Sequence, residues 1–249
     1  AHVPANPWNA WIPARFGFSS GTELFVFCSG LASAIAFGAV FVKRGLFFGA
    51  ARIAYRMWQI YWAHICLVLA MVALAAGIDR WSGMSLLVTQ FEPLTRDPAM
   101  ALFGLLTLTW QPDYLDILPM YLIILALLPV MVGVHRLHPY APSALSIGLY
   151  IAVWTTGLNL IGNPWNGAGW FLNPFAWQLV FFTGFAFGMK WLPAPRLGDP
   201  WLLALSAIIL VAAVPISFWG IQDIWSTARD IESFIFGENG KSDLHILRF

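Results

Sequence analysis

Apolar residues gather along the chain in long blocks separated by short polar stretches. Blocks long enough to cross about 30 Å of hydrocarbon, on the order of 20 residues each, fall at residues 22–42, 57–78, 117–134, 144–161, 175–191 and 201–219. A shorter apolar piece, residues 99–111, suits a re-entrant or interfacial helix better than a crossing. The pattern predicts an all-α, polytopic transmembrane helical bundle of six to seven spans, forming a single domain over residues 1–249. After the last block, "IQDIWSTARDIESFIF" sets Ile221, Ile224, Trp225, Ala228, Ile231 and Ile235 on one helical stripe, with Asp223, Asp230 and Glu232 off it. That stripe predicts an outer interfacial amphipathic helix and loop over residues 220–242.

Composition strengthens this reading. Hydrophobic residues make up 59% of the 249 and charged residues only 10%, and the mean hydropathy is +0.72. An ordinary soluble domain does not reach these values, so the lipid bilayer is the first expected partner, and nothing points to nucleic acid. Cys28 and Cys66 lie inside apolar helices and read as small hydrophobic filler, not a disulfide framework. The chain opens on "AHVPANPW", as though a helix had just ended. It stops at "GKSDLHILRF", where Ser242 or Asp243 would cap a new helix, so both ends read as cut.

Charge sets the orientation. If each block crosses once, Lys43, Arg44, Arg52, Arg56, Arg136, Lys190 and Arg196 fall on one side, which the positive-inside bias makes cytoplasmic. Arg15, Arg80, Arg96, Arg229 and Lys241 fall on the other. All acidic residues except Asp199 also fall outside, so the external mouth is expected to be acidic.

Ionisable groups inside or at the lip of a span are costly and therefore candidates for function. His2 precedes "VPANPWNAW" at an outer helix end, where a histidine could act as acid or base near neutrality or simply sit in the interface. Glu23 opens the first full span from the same side, suited equally to capping the helix and to orienting a catalytic group. His64, in "RMWQIYWAHICL", lies about two turns into its block from the cytoplasmic end. Arg52 and Arg56 precede it four residues apart, on one helical face that could meet phosphates, although membrane anchoring explains them as well. Asp113 and Asp116, in "WQPDYLDILPMY", read as helix caps or as a cavity-lining pair. In "IGNPWNGAGWFLNPFAWQ", Trp165 and Trp170 could stack on sugar faces while Asn163, Asn166, Asn173 and Gln178 bond hydroxyls. Tryptophan is also the usual interface-belt residue. His135 and His138 bracket Arg136 at an inner helix end and complement its dipole; no metal site is expected. No phosphate loop, zinc pattern or nucleophile elbow occurs.

The segments "GTELFVFCSG" (21–30), "RMWQIYWAH" (56–64), "YLDILPMYLIILALLP" (114–129), "GWFLNPFAWQLVFFTGF" (169–185) and "SDLHILRF" (242–249), in this order, resemble the OpgC family of membrane proteins. That family is related to the acyltransferase-3 superfamily. The resemblance runs along essentially the whole chain. It implies a bundle of about ten helices in the full-length family and a multi-pass protein of the bacterial inner membrane. It also implies transfer of succinyl groups to osmoregulated periplasmic glucans, with acyl-CoA, succinyl-CoA in the first instance, as donor substrate and no bound cofactor. The related acyltransferases carry a histidine at the end of their first helix, matched here by His2. The family's usual charged lead into that helix is missing, which leaves the activity of the fragment itself open.

On this resemblance the acyl-CoA phosphates meet Arg52 and Arg56, and the thioester reaches the bundle interior near His64, with Gly30 and Ser33 allowing close helix packing. His2 deprotonates a glucosyl hydroxyl while Glu23 or Asp116 fixes its tautomer. Asp113, Trp165, Trp170, Asn173 and Gln178 then line the acceptor side. A proton-coupled transporter or flippase-like carrier of a small solute or glycan is the alternative, and a membrane sensor or scaffold with polar groups that only lock helices together is a third reading.

Overall fold

The computed structural model describes residues 16–193 and 198–218, and beyond them residues 221, 224, 225, 227, 230 and 242–246. His2 and most of the expected interfacial helix over 220–242 lie outside the described residues. The described chain is helical: α1 (Gly21–Ser82), α2 (Leu86–Gln90), α3 (Glu92–Arg96), α4 (Pro98–Thr107), α5 (Ile117–His135), α6 (Ala141–Thr156), α7 (Pro174–Gly188) and α8 (Pro200–Ser217). Among the described residues, α1, α5 and α8 are long and apolar enough to cross a membrane; α4 and α7 are shorter apolar helices.

The first two expected spans fall on a single element. Residues 43–56 were read as a basic connection, yet they are helical except at Gly45, whose φ of 86° and ψ of 176° break α1 into two arms. The rest of this stretch is rich in Ala and Arg, good helix formers, so its charges lie on helical turns and not in a loop. The fifth block reaches only Gly188. Lys190 adopts a left-handed φ of 60°, and Trp191 N folds back to the Ala186 carbonyl at 2.8 Å. The fourth block stops at Thr156, because Gly157 takes a left-handed φ of 69° and closes the helix. α6 and α7 therefore have 16 and 15 residues. The short piece at 99–111 forms α4, ten residues long, started by Asp97, whose Oδ1 accepts from Met100 N, and by Pro98.

The chain divides into two compact units, residues 1–35 with 180–249, and residues 36–179. In the first, the opening turns of α1 pack on α7 through small residues. A Cβ added at Gly30 would run into the Phe181 carbonyl and stand 3.0 Å from Phe185 N; one at Gly184 would run into the Phe27 carbonyl and stand 3.2 Å from Leu31 N. Ala34 and Gly188 meet one turn further along, so Gly30-xxx-Ala34 faces Gly184-xxx-Gly188. Backbones approach this closely in membranes because small residues face one another. α8 leaves most of its apolar surface exposed, Trp201 at 83% and Ile208 at 65% among them, as a lipid-facing helix does.

In the second unit α5 and α6 pack together, and α5 buries Met120, Leu122, Ile124, Leu125, Leu128, Met131 and Val132. The distal arm of α1 packs Ile65, Val68 and Ala75 against Phe91, Ala101, Leu105 and Trp110, with Tyr61 and Val72 at the margin. Tyr61 Oη donates to the Leu106 carbonyl at 2.7 Å and fixes the register of α4 on α1.

Candidate functional site

Among the buried positions of the distal arm, Ile53, Ile60, His64, Val68 and Ala75 recur at intervals of seven and four and form one helical seam. His64 is the only polar member of that seam. It is 0% exposed, and neither Nδ1 nor Nε2 has a hydrogen-bond partner among the described residues. Buried polar groups are ordinarily satisfied, and leaving one unpaired costs about 1–3 kcal/mol. A histidine held this way is a candidate for function. Because the arm begins at Gly45, His64 lies deeper in its helix than the sequence suggested, about five turns in.

Arg52 and Arg56 lie nearer Gly45 on the same arm, both exposed. Arg56 Nη1 donates to Gln59 Oε1 at 3.3 Å, and Arg52 has no partner among the described residues. Arg56 precedes His64 by two turns, about 12 Å along the axis.

Glu23 lies in the first unit. Its Oε2 accepts from Ser20 N at 2.7 Å and from Ser20 Oγ, while Ser20 Oγ accepts from Thr22 N at 3.3 Å. The reciprocal serine and glutamate cap is a capping box, and the S-x-x-E spacing at 20–23 signals it in the sequence. Glu23 is buried at 5% exposure, so the cap also fixes the orientation of its carboxyl group at the start of α1.

The Trp- and Asn-rich segment folds into a tight loop between α6 and α7. Gly162 N donates to the Ala168 carbonyl at 2.8 Å and Trp170 N to the Leu160 carbonyl at 2.9 Å, pairing the two sides around an antiparallel bridge of Ile161 with Gly169. Asn163 Oδ1 accepts from Trp165 N and Asn166 N, and Asn166 Oδ1 accepts from Ala168 N. These side chains thus build the turn. Asn159 staples its base, donating to the Trp170 carbonyl at 3.0 Å and accepting from Leu160 N at 2.7 Å.

Of the residues proposed to face a sugar, Asn163 and Asn166 thus serve the turn, and three more are engaged elsewhere in the fold. Trp170 is 4% exposed and its Nε1 donates to the Ile161 carbonyl at 2.8 Å. Asn173 Nδ2 donates to the Leu158 carbonyl at 2.8 Å, and its Oδ1 accepts from Phe175 N at the start of α7. Gln178 is fully buried and exchanges two bonds with Ser146, Nε2 to the carbonyl at 2.8 Å and Oε1 from Oγ at 2.7 Å. Trp165 stays accessible at 39% and stands edge-to-face on buried Trp110, centroids 6.2 Å apart. Trp110 in turn packs against Gly104 of α4. A continuous chain of contacts thus joins the helix carrying His64 to Trp165 through α4 and Trp110. Asp113, three residues after Trp110, is exposed, and Asp116 takes the residue before α5 without a side-chain cap bond. Trp110, Asn159, Ser146 and Ser20 had not been singled out from the sequence.

A family profile described as OpgC protein matches residues 1–249, the whole chain. The chain belongs to the OpgC family. No curated protein and no solved structure matches it. As an OpgC-family chain it places its unpartnered histidine within an apolar helical seam, and no group of three or more His, Cys, Asp or Glu residues that could hold a metal ion occurs among the described residues.

Proposed function

We propose that this chain is the membrane-embedded core of an O-acyltransferase, which moves a succinyl or similar acyl group from a cytoplasmic acyl-CoA to hydroxyls of a periplasmic glucan. OpgC-family membership over the whole chain supports the reaction class. The observation that carries the site is His64, wholly buried with both ring nitrogens unpartnered among the described residues.

In this reading Arg52 and Arg56 meet the donor phosphates, for which guanidinium forks are suited. The thioester lies along the seam at His64. His2, by family resemblance, takes the proton from a glucosyl hydroxyl as its oxygen attacks the thioester carbonyl. The C–S bond breaks, and the CoA sulfur leaves with the proton that the base releases. Glu23 or Asp116 orients the base. Trp165 and Asp113 meet the acceptor, while Trp170, Asn173 and Gln178 shape that face from beneath. The protein crosses the bacterial inner membrane several times, which places donor and acceptor on opposite sides.

The test is to express the protein in a Gram-negative host lacking its own enzyme and to weigh the extracted periplasmic glucans by mass spectrometry. Acyl-sized increments that vanish in His2→Ala and fall at least tenfold in a folded His64→Ala are expected. Unmodified glucans from a well-folded wild type would overturn the reading.

A further inference from the structure

An apolar groove of about 690 Å³ lies between the start of the distal arm of α1, at Leu46, Phe47 and Ala50, and the end of α5, at Pro129, Val130, Gly133 and Val134. It exists because its floor is small: Ala50, Gly133 and Pro129 leave a furrow between Phe47 and Val130. Cations flank its lining residues along the chain. Lys43 and Arg44 immediately precede Gly45, both exposed and without a partner among the described residues. Arg136 immediately follows α5 and reaches across, its Nη2 donating to the Phe41 carbonyl at 3.4 Å, which ties it to the last turn before Gly45.

No carboxylate answers these charges from the elements that form the groove. The sequence contains no Asp or Glu between Glu23 and Asp79, or between Asp116 and Asp199. The furrow and its rim therefore combine an apolar slot with uncompensated positive charge, which matches a molecule with a hydrocarbon tail and an anionic head. In a bilayer the slot alone does not select, because lipid chains are as apolar as its walls. Selection has to come from the cations, and basic residues near a membrane surface attract anionic lipid.

We propose that this groove is a binding site for an anionic phospholipid, one acyl chain lying between Phe47 and Val130 and the headgroup phosphate held by Lys43, Arg44 and Arg136. The inference needs the chain to cross a bilayer and is independent of the acyl-transfer reaction. Arg136 keeps further N–H donors for a phosphate while one serves Phe41.

The test is native mass spectrometry of the full-length protein titrated with phosphatidylglycerol and with phosphatidylcholine of the same chains. A preference for phosphatidylglycerol on the order of tenfold or more is expected. K43Q/R44Q should abolish the preference while leaving weak binding of both lipids, and Val130→Trp, at a half-exposed position that tolerates bulk, should weaken both. Thermal unfolding of each variant confirms that it is folded. Equal affinity for the two lipids, or an unchanged preference in K43Q/R44Q, would overturn the proposal. So would displacement of phosphatidylglycerol by succinyl-CoA, since that would assign the groove to the donor.

Discussion

Replacing Gly30 by alanine tests the packing of the first unit. The added methyl would collide with the Phe181 carbonyl and come within 3.0 Å of Phe185 N, both backbone groups that cannot turn aside as a side chain can. The helices must separate by roughly 1 Å to clear it, which also loosens Gly184 against Phe27 and Gly188 against Ala34 on the same seam. Overpacking of this kind costs about 1–3 kcal/mol. Gly148→Ala in α6 is the control, because a Cβ there meets nothing within 4 Å. It should be neutral, or stabilising by up to about 1 kcal/mol through helix propensity. The assay is equilibrium unfolding of the full-length protein in mixed detergent micelles, both variants beside wild type. A Gly30→Ala protein as stable as Gly148→Ala would refute the close approach of α1 and α7.

Further outcomes follow from single contacts. Asn173→Ala removes both the cap on Phe175 N and the bond to the Leu158 carbonyl, and should cost about 1–2 kcal/mol in the same unfolding assay. A double-mutant cycle on Ser146→Ala and Gln178→Leu should return a coupling of about 0.6–1.7 kcal/mol; zero coupling would mean that the buried pair does not join α6 to α7. Asp113→Asn, at an exposed position, should leave stability within about 0.5 kcal/mol while lowering glucan modification in the cellular assay. If modification is unchanged, Asp113 does not meet the acceptor.

Long uninterrupted apolar runs were the most legible part of the fold. α5 was expected at 117–134 and forms over Ile117–His135, its apolar run carrying the helix on through Pro129. The basic stretch after the first span was misjudged, because charge was taken to end a helix; lysine and arginine are good helix formers, and only the backbone of Gly45 interrupts α1. Within the site, the burial of His64 follows from its place among Ile60 and Val68 at spacing four. The engagement of Trp170, Asn173 and Gln178 was not visible. Their partners Ile161, Leu158 and Ser146 lie 9, 15 and 32 residues away, and residue type cannot distinguish an amide bonded to its own backbone from one offered to a sugar.

Gly45 carries a consequence for how easily mutation could reshape this protein. Its torsions fall where only glycine rests without strain, so every substitution there costs on the order of 1–3 kcal/mol or drives the residue back to helical values. In the second case the 62 residues of α1 would become an uninterrupted rod about 93 Å long, three times the thickness of the hydrocarbon layer. One codon therefore stands between a segment measured to a membrane and one that no membrane could accommodate.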